Sequence, residues 1–398
     1  PITSVKHDFS IIFYYKSRIK SIIFFHFFVF LLYRSLHIVH IRVLSYCLDI
    51  FYISRYTIFM FNSTIIVNKK TTTKTRVEAV NSLNLFESFQ KSKKAFFVID
   101  ENFYLKHENL VSFLDKEKTL VLKSGEENKT LAAVQTALTF FKEKNVDKSN
   151  LIYAVGGGVT GDTVGFACSV YMRGIEYVNV PTTLLSMCDS SVGGKTGVDF
   201  CGVKNLLGAF YPPIATLLPV DLVSDVTKPP FNDGIGEILK CSMLGNKKIF
   251  SMLKSKSFDL TELIIQTLKV KGKYVKKDFY DMGERKMLNL GHTFAHAIES
   301  ISNFTISHGQ AVGMGLVLAV KYSAKAGLIA KDFSDELKEV LSSYNLNPDC
   351  PYSLKELVPY MKQDKKADDE GIFMILPVAR YKCEISYRTF KELESVNL

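Results

Sequence analysis

The sequence predicts an α/β fold, with a parallel sheet and crossover helices in its N-terminal part and a helical domain after it. Three observations predict it. Short apolar runs alternate with helical patterns between residues 95 and 183, a glycine-rich turn joins one of these runs to the next helix, and past about residue 220 the strand signal fades into long helical patterns.

Taken in order, AFFVID (95–100) is an apolar run ending in an acid, the composition of a strand buried on both faces, and TLVLKSG (119–125) is a second. NKTLAAVQTALTFFKEK (128–144) places apolar residues at helical spacing and ends in basic residues, as a crossover helix does. LIYAVGGG (151–158) is a strand entering a glycine turn, TGDTVGFACSVYM (160–172) a helix, and YVNVPTT (177–183) a further strand and turn. Sheets wound in this way hold ligands at the C-terminal ends of their strands. After the punctuation of VTKPPFNDG (226–234) come the helical patterns IGEILKCSMLG, LTELIIQTLKVKGKYVKK, LNLGHTFAHAIESI, AVGMGLVLAVKYSAKAG and SDELKEVLSSY, with a cleft expected between the two parts and no internal repeat.

The chain has 398 residues, enough for two domains. Its hydrophobic content of 47% and charged content of 23% are those of a globular protein. The formal charge is +10, but much of the excess lies in residues 1–59, where Asp8 and Asp49 are the only acids. No aromatic-interleaved basic stripe appears, which argues against a nucleic-acid partner. Residues 1–59 also lack Gly, Ala, Glu, Asn and Gln. Their apolar stretch SIIFFHFFVFLLY has 13 residues, against about 20 for a membrane-spanning helix. These residues are expected to be a non-native or dispensable leader, a membrane or targeting element being the alternative, with folding from near Met60, a first domain over 60–220 and a second over 221–398. The seven cysteines are scattered and form no C-x-x-C pair, which points to a reducing, cytoplasmic setting.

GGGVTGD (156–162) follows a strand and opens a helix, so the backbone N–H groups of the helix start are placed to meet a phosphate. Triple glycine also serves purely structural turns. Downstream, PTTLLSMCDSSVGGKTGVDFCGVKNLLGAFYPP (181–213) sets Thr182, Thr183, Asp189, Lys195, Lys204 and Asn205 among glycines and small residues. Lysines flanked by glycine near strand ends suit an anionic ligand, although a solvated loop is the plainer reading.

Of the eight histidines, three fall in LNLGHTFAHAIESISNFTISHGQ (288–310), four precede residue 60, and His107 is left over. His292 and His296 are four apart on a helical pattern, which stacks both on one face and lets two imidazoles reach one divalent ion. Such pairs are often merely packed. His308 follows the break SNFTIS and offers a third ligand, and Glu237 in GIGEILK offers a carboxylate. Two histidines, one carboxylate and an open position make a catalytic zinc site.

These blocks together resemble the 3-dehydroquinate synthase family, from about Met60 to the C-terminus and most densely in GGGVTGD, VPTTLLSMCDSSVGGKTGVD, KNLLGAFYPP, GEILK and LNLGHTFAHAIE. The resemblance implies an N-terminal Rossmann-like dinucleotide-binding domain and a C-terminal all-helical metal- and substrate-binding domain. It also implies NAD and a zinc or cobalt ion between them, a homodimer, and a place in the shikimate pathway of aromatic amino acid biosynthesis. It assigns Glu237, His292 and His308 to the metal and moves His296 to the substrate side, against the spacing argument. It assigns Asp189, Lys195, Asn205, Lys240, Lys271, Arg285, Asn289, His296 and Lys365 to the sugar-phosphate acid substrate, with His296, Lys195, Lys240, Asn289 and Arg285 closest to the chemistry. Arg173 matches a residue that reaches the partner subunit's phosphate pocket. Asp100, Asn102, Glu126, Lys129, Gly157, Gly158, Asp162, Thr182, Thr183 and Lys204 match the NAD site. Two stretches depart from the family pattern. VTKPPF stands where an L-P-x-R-E type run is usual, and DFYD (278–281) keeps only the first and last acids of a D-E-x-E run. A related sugar-phosphate cyclase, a polyol dehydrogenase on the same fold and an inactive binding protein are the competing readings.

Overall fold

Strand β4 (Ala95–Asp100) is buried along its length except at Asp100. Phe96 and Val98 turn to one face and pack with Phe141, Val164 and Ala167, while Phe97 and Ile99 turn to the other and pack with Phe86, Phe89 and Val155. This two-sided burial is why the run is almost wholly apolar and does not alternate. The computed structural model describes residues 40–53, 56–68 and 74–398, apart from 224, 230 and 365, and divides the chain into the units Pro1–Thr73 and Lys74–Leu398. In the first, β1 (His40–Ile53) and β2 (Tyr56–Asn68) pair antiparallel. The expected boundary at residue 60 therefore falls inside β2, whereas the unit boundary lies between Thr73 and Lys74. The stretch SIIFFHFFVFLLY lies outside the described residues. No helix among the described residues is long and apolar enough to cross a membrane.

In the second unit, β3 (Arg76–Val80), β4, β5 (Thr119–Leu122), β6 (Leu151–Gly156), β7 (Tyr177–Pro181) and β10 (Ala215–Pro219) form one sheet in the order β3-β10-β7-β6-β4-β5. Every pairing in it is parallel. The crossovers include α1 (Ser82–Phe89), α2 (Glu101–Lys106), α3 (Glu108–Val111), α4 (Leu131–Glu143), α5 (Gly158–Val170) and the short α6 (Leu184–Cys188). From β4 the chain moves outward to β5 and returns through α4 to β6 on the opposite side of β4. The direction of winding thus reverses between β4 and β6, and a crevice opens beyond their C-terminal ends, at Asp100 and Gly156.

Helices α7 (Gly234–Met243), α8 (Lys247–Ser255), α9 (Leu260–Lys277), α10 (His292–Ile301), α11 (His308–Lys325), α12 (Ser334–Ser343), α13 (Leu354–Met361) and α14 (Phe390–Ser395) make up most of the remainder. The C-terminal half is not all-helical, however, because β11 (Gly371–Ala379) and β12 (Lys382–Thr389) form an antiparallel hairpin whose Ile372, Met374 and Leu376 join the helical core. A second hairpin, β8 (Lys195–Phe200) with β9 (Val203–Phe210), has no counterpart in the sequence pattern, since its glycine-containing strands carry no regular apolar period. The helical core also includes Leu184, Met187 and Cys188 of α6 and Leu218 of β10, so the sheet's rim and the helices are packed as one body.

Candidate active site

Most of the residues expected at NAD lie at the crevice. Gly157 is the N-cap of α5 and offers no side-chain cap, so the N–H groups of the helix's first turn stay free for an anion. Thr182 donates its backbone N–H to the Gly156 carbonyl (2.9 Å), tying the ends of β6 and β7 together, and Thr183 caps α6 through Ser186. Asp100 caps α2 by accepting from the Phe103 N–H at 3.0 Å. Asn102 donates its backbone N–H to Ser124 Oγ at 2.8 Å, and Glu126 is exposed beside it in the 3-10 turn Glu126–Asn128. Lys129 is buried, with its ammonium 2.7 Å from Asp162 Oδ2 and 2.8 Å from Asn205 Oδ1. Burial opposes the charge on Lys129, but the Asp162 and Glu126 carboxylates outweigh it and raise its pKa. Asn205, expected at the substrate, thus accepts from Lys129, one of the residues expected at NAD. The cause is local: its backbone is left-handed (φ 51°), with its N–H fixed by Asp199 Oδ1 at 2.7 Å.

On the helical side α7 brings Glu237, α10 opens on His292 and α11 opens on His308. One ligand atom from each lies within 4.8 Å of the others. Glu237 Oε1 is 3.2 Å from His292 Nε2 and 3.3 Å from His308 Nε2. Each imidazole places its other nitrogen on an acceptor: His292 Nδ1 donates to the Leu290 carbonyl (3.2 Å) and His308 Nδ1 to Glu299 Oε1 (3.4 Å). With Nδ1 so engaged, each Nε2 faces the carboxylate and is the nitrogen offered to a metal; burial opposes charge on His308, but its contacts with Glu237 and Glu299 raise its pKa to about 10. Both Glu237 oxygens are buried and neither accepts a regular hydrogen bond, although the Lys240 ammonium lies in ionic contact with Oε2. Burial disfavours that carboxylate, but the Lys240 ammonium above all holds its pKa well below the usual range. Burial, helped by Lys240, lowers the His292 pKa to about 4 and keeps it neutral. A buried, ionised carboxylate facing the Nε2 atoms of two imidazoles fits a divalent cation.

His296 stands apart from this trio. Its ring centroid lies 5.5 Å from that of His292, its side chain is half exposed, and its Nδ1 is 3.7 Å from Asp364 Oδ2. The spacing does permit a shared ion, but the His296 ring turns to Asp364 while Glu237 and His308 close on His292 from two other helices. His292 occupies the turn level with Glu237, and His296 lies beyond it.

Cationic groups border the trio. Lys271 donates to both the carbonyl and Oδ1 of Asp189, each at 2.6 Å. Lys195 pairs with Asp281, and the buried Arg285 donates to the Phe279 carbonyl at 2.5 Å. The two acids kept from the DFYD run therefore have distinct tasks, since Asp278 accepts from the backbone N–H groups of Met282, Gly283 and Arg285 while Asp281 meets Lys195. Asn289 is half-buried at the end of the 3-10 helix Glu284–Asn289, which also carries Arg285. Lys204, expected at NAD, lies 3.9 Å from Glu299 Oε1 and 4.2 Å from the centre of the Phe304 ring. Arg173 is exposed in the turn Tyr171–Arg173, with no hydrogen bond or ion pair to the other site residues among those described. Lys365 lies outside the described residues. Sequence reasoning missed three acids at this site: Asp233, Glu299 and Asp364. Glu299 alone has a spacing signal, seven residues after His292 and so on the same face of α10.

Comparison with known proteins places this geometry. A family model described as "3-dehydroquinate synthase N-terminal" matches residues 119–232, and one described as "3-dehydroquinate synthase C-terminal" matches residues 234–367. The chain is 36% identical over 324 residues to the 3-dehydroquinate synthase of Ruminiclostridium cellulolyticum, covering 78% of this chain and 89% of that protein. To that of Clostridium botulinum it is 37% identical over 315 residues, covering 75% and 89%. Among solved structures, 2-epi-5-epi-valiolone synthase from Streptomyces hygroscopicus with NAD+ and Zn2+ bound matches with a TM-score of 0.73 at 22% identity, over 83% of this chain and 97% of that one. A 2-deoxy-scyllo-inosose synthase complexed with carbaglucose-6-phosphate, NAD+ and Co2+ matches with a TM-score of 0.69 at 20% identity, over 89% and 98%. At these identities the two structures establish the shared fold.

Proposed function

The chain belongs to the 3-dehydroquinate synthase family, and from that premise we propose that it converts 3-deoxy-D-arabino-heptulosonate 7-phosphate into 3-dehydroquinate and phosphate. The route is transient oxidation of a secondary hydroxyl, phosphate elimination, re-reduction and aldol closure, which makes the enzyme a carbon-oxygen lyase. One observation carries the reading: Glu237, His292 and His308 converge within 4.8 Å beside Lys271, Arg285 and Asp189.

Glu237, His292 and His308 would hold a zinc or cobalt ion, which as a Lewis acid lowers the pKa of a hydroxyl on the substrate. The free first turn of α5, with Asp100, Asn102, Glu126, Lys129, Asp162, Thr182 and Thr183, would hold NAD, which takes up hydride and returns it within each turnover. Lys195, Lys271 and Arg285 bind the phosphate and carboxylate, the guanidinium with bidentate geometry. Asn289 adds a neutral donor and acceptor. His296, with Asp364 near its Nδ1, is the exposed imidazole beside the trio and carries protons to and from substrate oxygen. Lys240 stays cationic against Glu237 and fixes the carboxylate's ionised state.

A related cyclase acting on a substrate without a carboxylate is disfavoured by the presence of Lys271, Arg285 and Asn289 together. A polyol dehydrogenase would release NADH in proportion to product. The deciding assay supplies the seven-carbon substrate with NAD at a small fraction of the substrate concentration and follows phosphate. Phosphate release far exceeding the NAD supplied, without accumulating absorbance from NADH, is expected. NADH formed in step with product would overturn the reading.

We further propose that the enzyme works in the cytoplasm as a homodimer in which Arg173 serves the partner's phosphate pocket. Every assigned residue lies after Thr73. A protein of residues 74–398 is therefore expected to be soluble and to match the full chain's kcat within about twofold, since the deleted unit contributes no assigned group. Insolubility or loss of activity would show that the first 73 residues are needed.

A further inference from the structure

Resting on the metal reading above, we infer that Glu299 is a positioning residue for the metal: it fixes the ring and tautomer of His308. The inference goes beyond the three ligands, because Glu299 touches neither the metal position nor substrate and acts only through the imidazole.

Four features of the structure support it. Glu299 lies on α10, the helix that opens on His292, yet its carboxylate serves the histidine of α11, accepting from His308 Nδ1 at 3.4 Å. It is only 6% exposed, so its charge is withdrawn from water and must be compensated within the protein. The compensation comes from His308 on one side and Lys204 on the other, with the Lys204 ammonium 3.9 Å from Glu299 Oε1 and steadied over the Phe304 ring. Phe304 itself is held in place by the turn that closes α10, where its backbone N–H donates to the Glu299 carbonyl at 2.8 Å.

The order Lys204, Glu299, His308 Nδ1, His308 Nε2, Glu237 is thus continuous in space. An acceptor at Nδ1 holds a proton on that nitrogen and turns Nε2 toward Glu237, so that Nε2 is the nitrogen a metal would meet. A carboxylate does this more strongly than a carbonyl, because it also makes the imidazole a better electron donor. His292 has only the Leu290 carbonyl in the equivalent place. The two histidine ligands are therefore unequal, with His308 the one whose binding strength depends on a replaceable side chain. Lys204 comes from β9 of the sheet-bearing half, so the charge that balances Glu299 comes from across the fold.

The test strips the full-length protein of metal and titrates it with Zn2+ against a chromophoric chelator, in parallel for wild type, Glu299→Gln and Glu299→Ala. Glu299→Gln keeps volume and a neutral acceptor, and is expected to weaken Zn2+ binding about 10-fold. Glu299→Ala removes the acceptor and should weaken it up to about 100-fold. In the Co2+-loaded proteins the visible bands should shift in the same order, a signature of ligand geometry that loss of stability alone does not produce. Both variants binding Zn2+ within about twofold of wild type, with an unchanged Co2+ spectrum, would overturn the inference. Should Glu299→Ala fail to fold, Glu299→Gln decides alone. A wild type that binds no Zn2+ would instead overturn the metal reading on which this rests.

Discussion

Glu237→Gln is expected to bind no zinc after dialysis and to lose on the order of 10³-fold or more in kcat. The single carboxylate ligand sits between two imidazole nitrogens, with Oε1 at 3.2 and 3.3 Å from them. An amide in its place offers a weak neutral oxygen and turns hydrogen-bond donors toward groups that must act as acceptors. Lewis-acid stabilisation of several kcal/mol is forfeited with the ion, and about 4 kcal/mol corresponds to about 10³-fold. His292→Ala should give the same loss of metal, because the remaining carboxylate and imidazole cannot hold the ion alone. Glu237→Ala adds a second cost. The buried Lys240 loses the carboxylate's charge in either variant, but alanine also removes the oxygen that its ammonium contacts, a defect of about 3–5 kcal/mol. Metal content by elemental analysis and unfolding by denaturant separate the two effects. A Glu237→Gln protein that retains one equivalent of zinc refutes the assignment of the site.

The contrast between what could be read from residues and what could not follows from how local each signal is. AFFVID and LTELIIQTLKVKGKYVKK match β4 and α9 in extent because burial on two faces, or on one helical face, writes its period into consecutive residues. The glycine turn was legible for a similar reason, since a strand passing straight into a helix leaves little room for side chains. The metal trio needed the whole pattern of family blocks. Spacing alone pairs His296 with His292, the resemblance separates them, and the packing brings His308 of α11 to His292 while His296 faces Asp364. The hairpin β8–β9 escaped notice because its backbone pairing is not accompanied by an apolar period, its exposed residues including Val203, Leu206 and Phe210. The run GIFMILPVA of β11 carries an ordinary strand signal that the surrounding helical patterns masked. Glu299, Asp233 and Asp364 are single acids in unremarkable contexts, and their importance arises from what folds against them.

The last expectation concerns the backbone that brings the trio together. Gly236→Ala should destabilise the protein by about 3 kcal/mol or more, at the upper end for an overfilled contact. A methyl group at residue 236 would fall 2.1 Å from the Gly309 carbonyl oxygen, and one at residue 309 would fall 1.6 Å from the Asp233 carbonyl oxygen. Both obstacles are backbone, so no side chain can rotate aside. The close crossing of α7 and α11 at these two glycines sets Glu237 and His308 next to each other in space, one residue from Gly236 and one from Gly309. Asp233 reinforces the crossing, accepting at Oδ1 from Ser307 Oγ and from the N–H groups of Gly309 (2.9 Å) and Gln310 (3.3 Å). It thus stands at the start of one helix and caps the other, in keeping with the preference for an anion at a helix N-terminus. Forcing the helices apart therefore weakens Zn2+ binding together with stability. Gly272→Ala provides the internal control. It lies within α9 with nothing inside 4 Å of an added methyl, so the same substitution there should stabilise by about 0.5–1 kcal/mol. Urea midpoints for the two variants should move in opposite directions from wild type. Equal or same-signed shifts would mean that the close crossing does not hold the two ligands together.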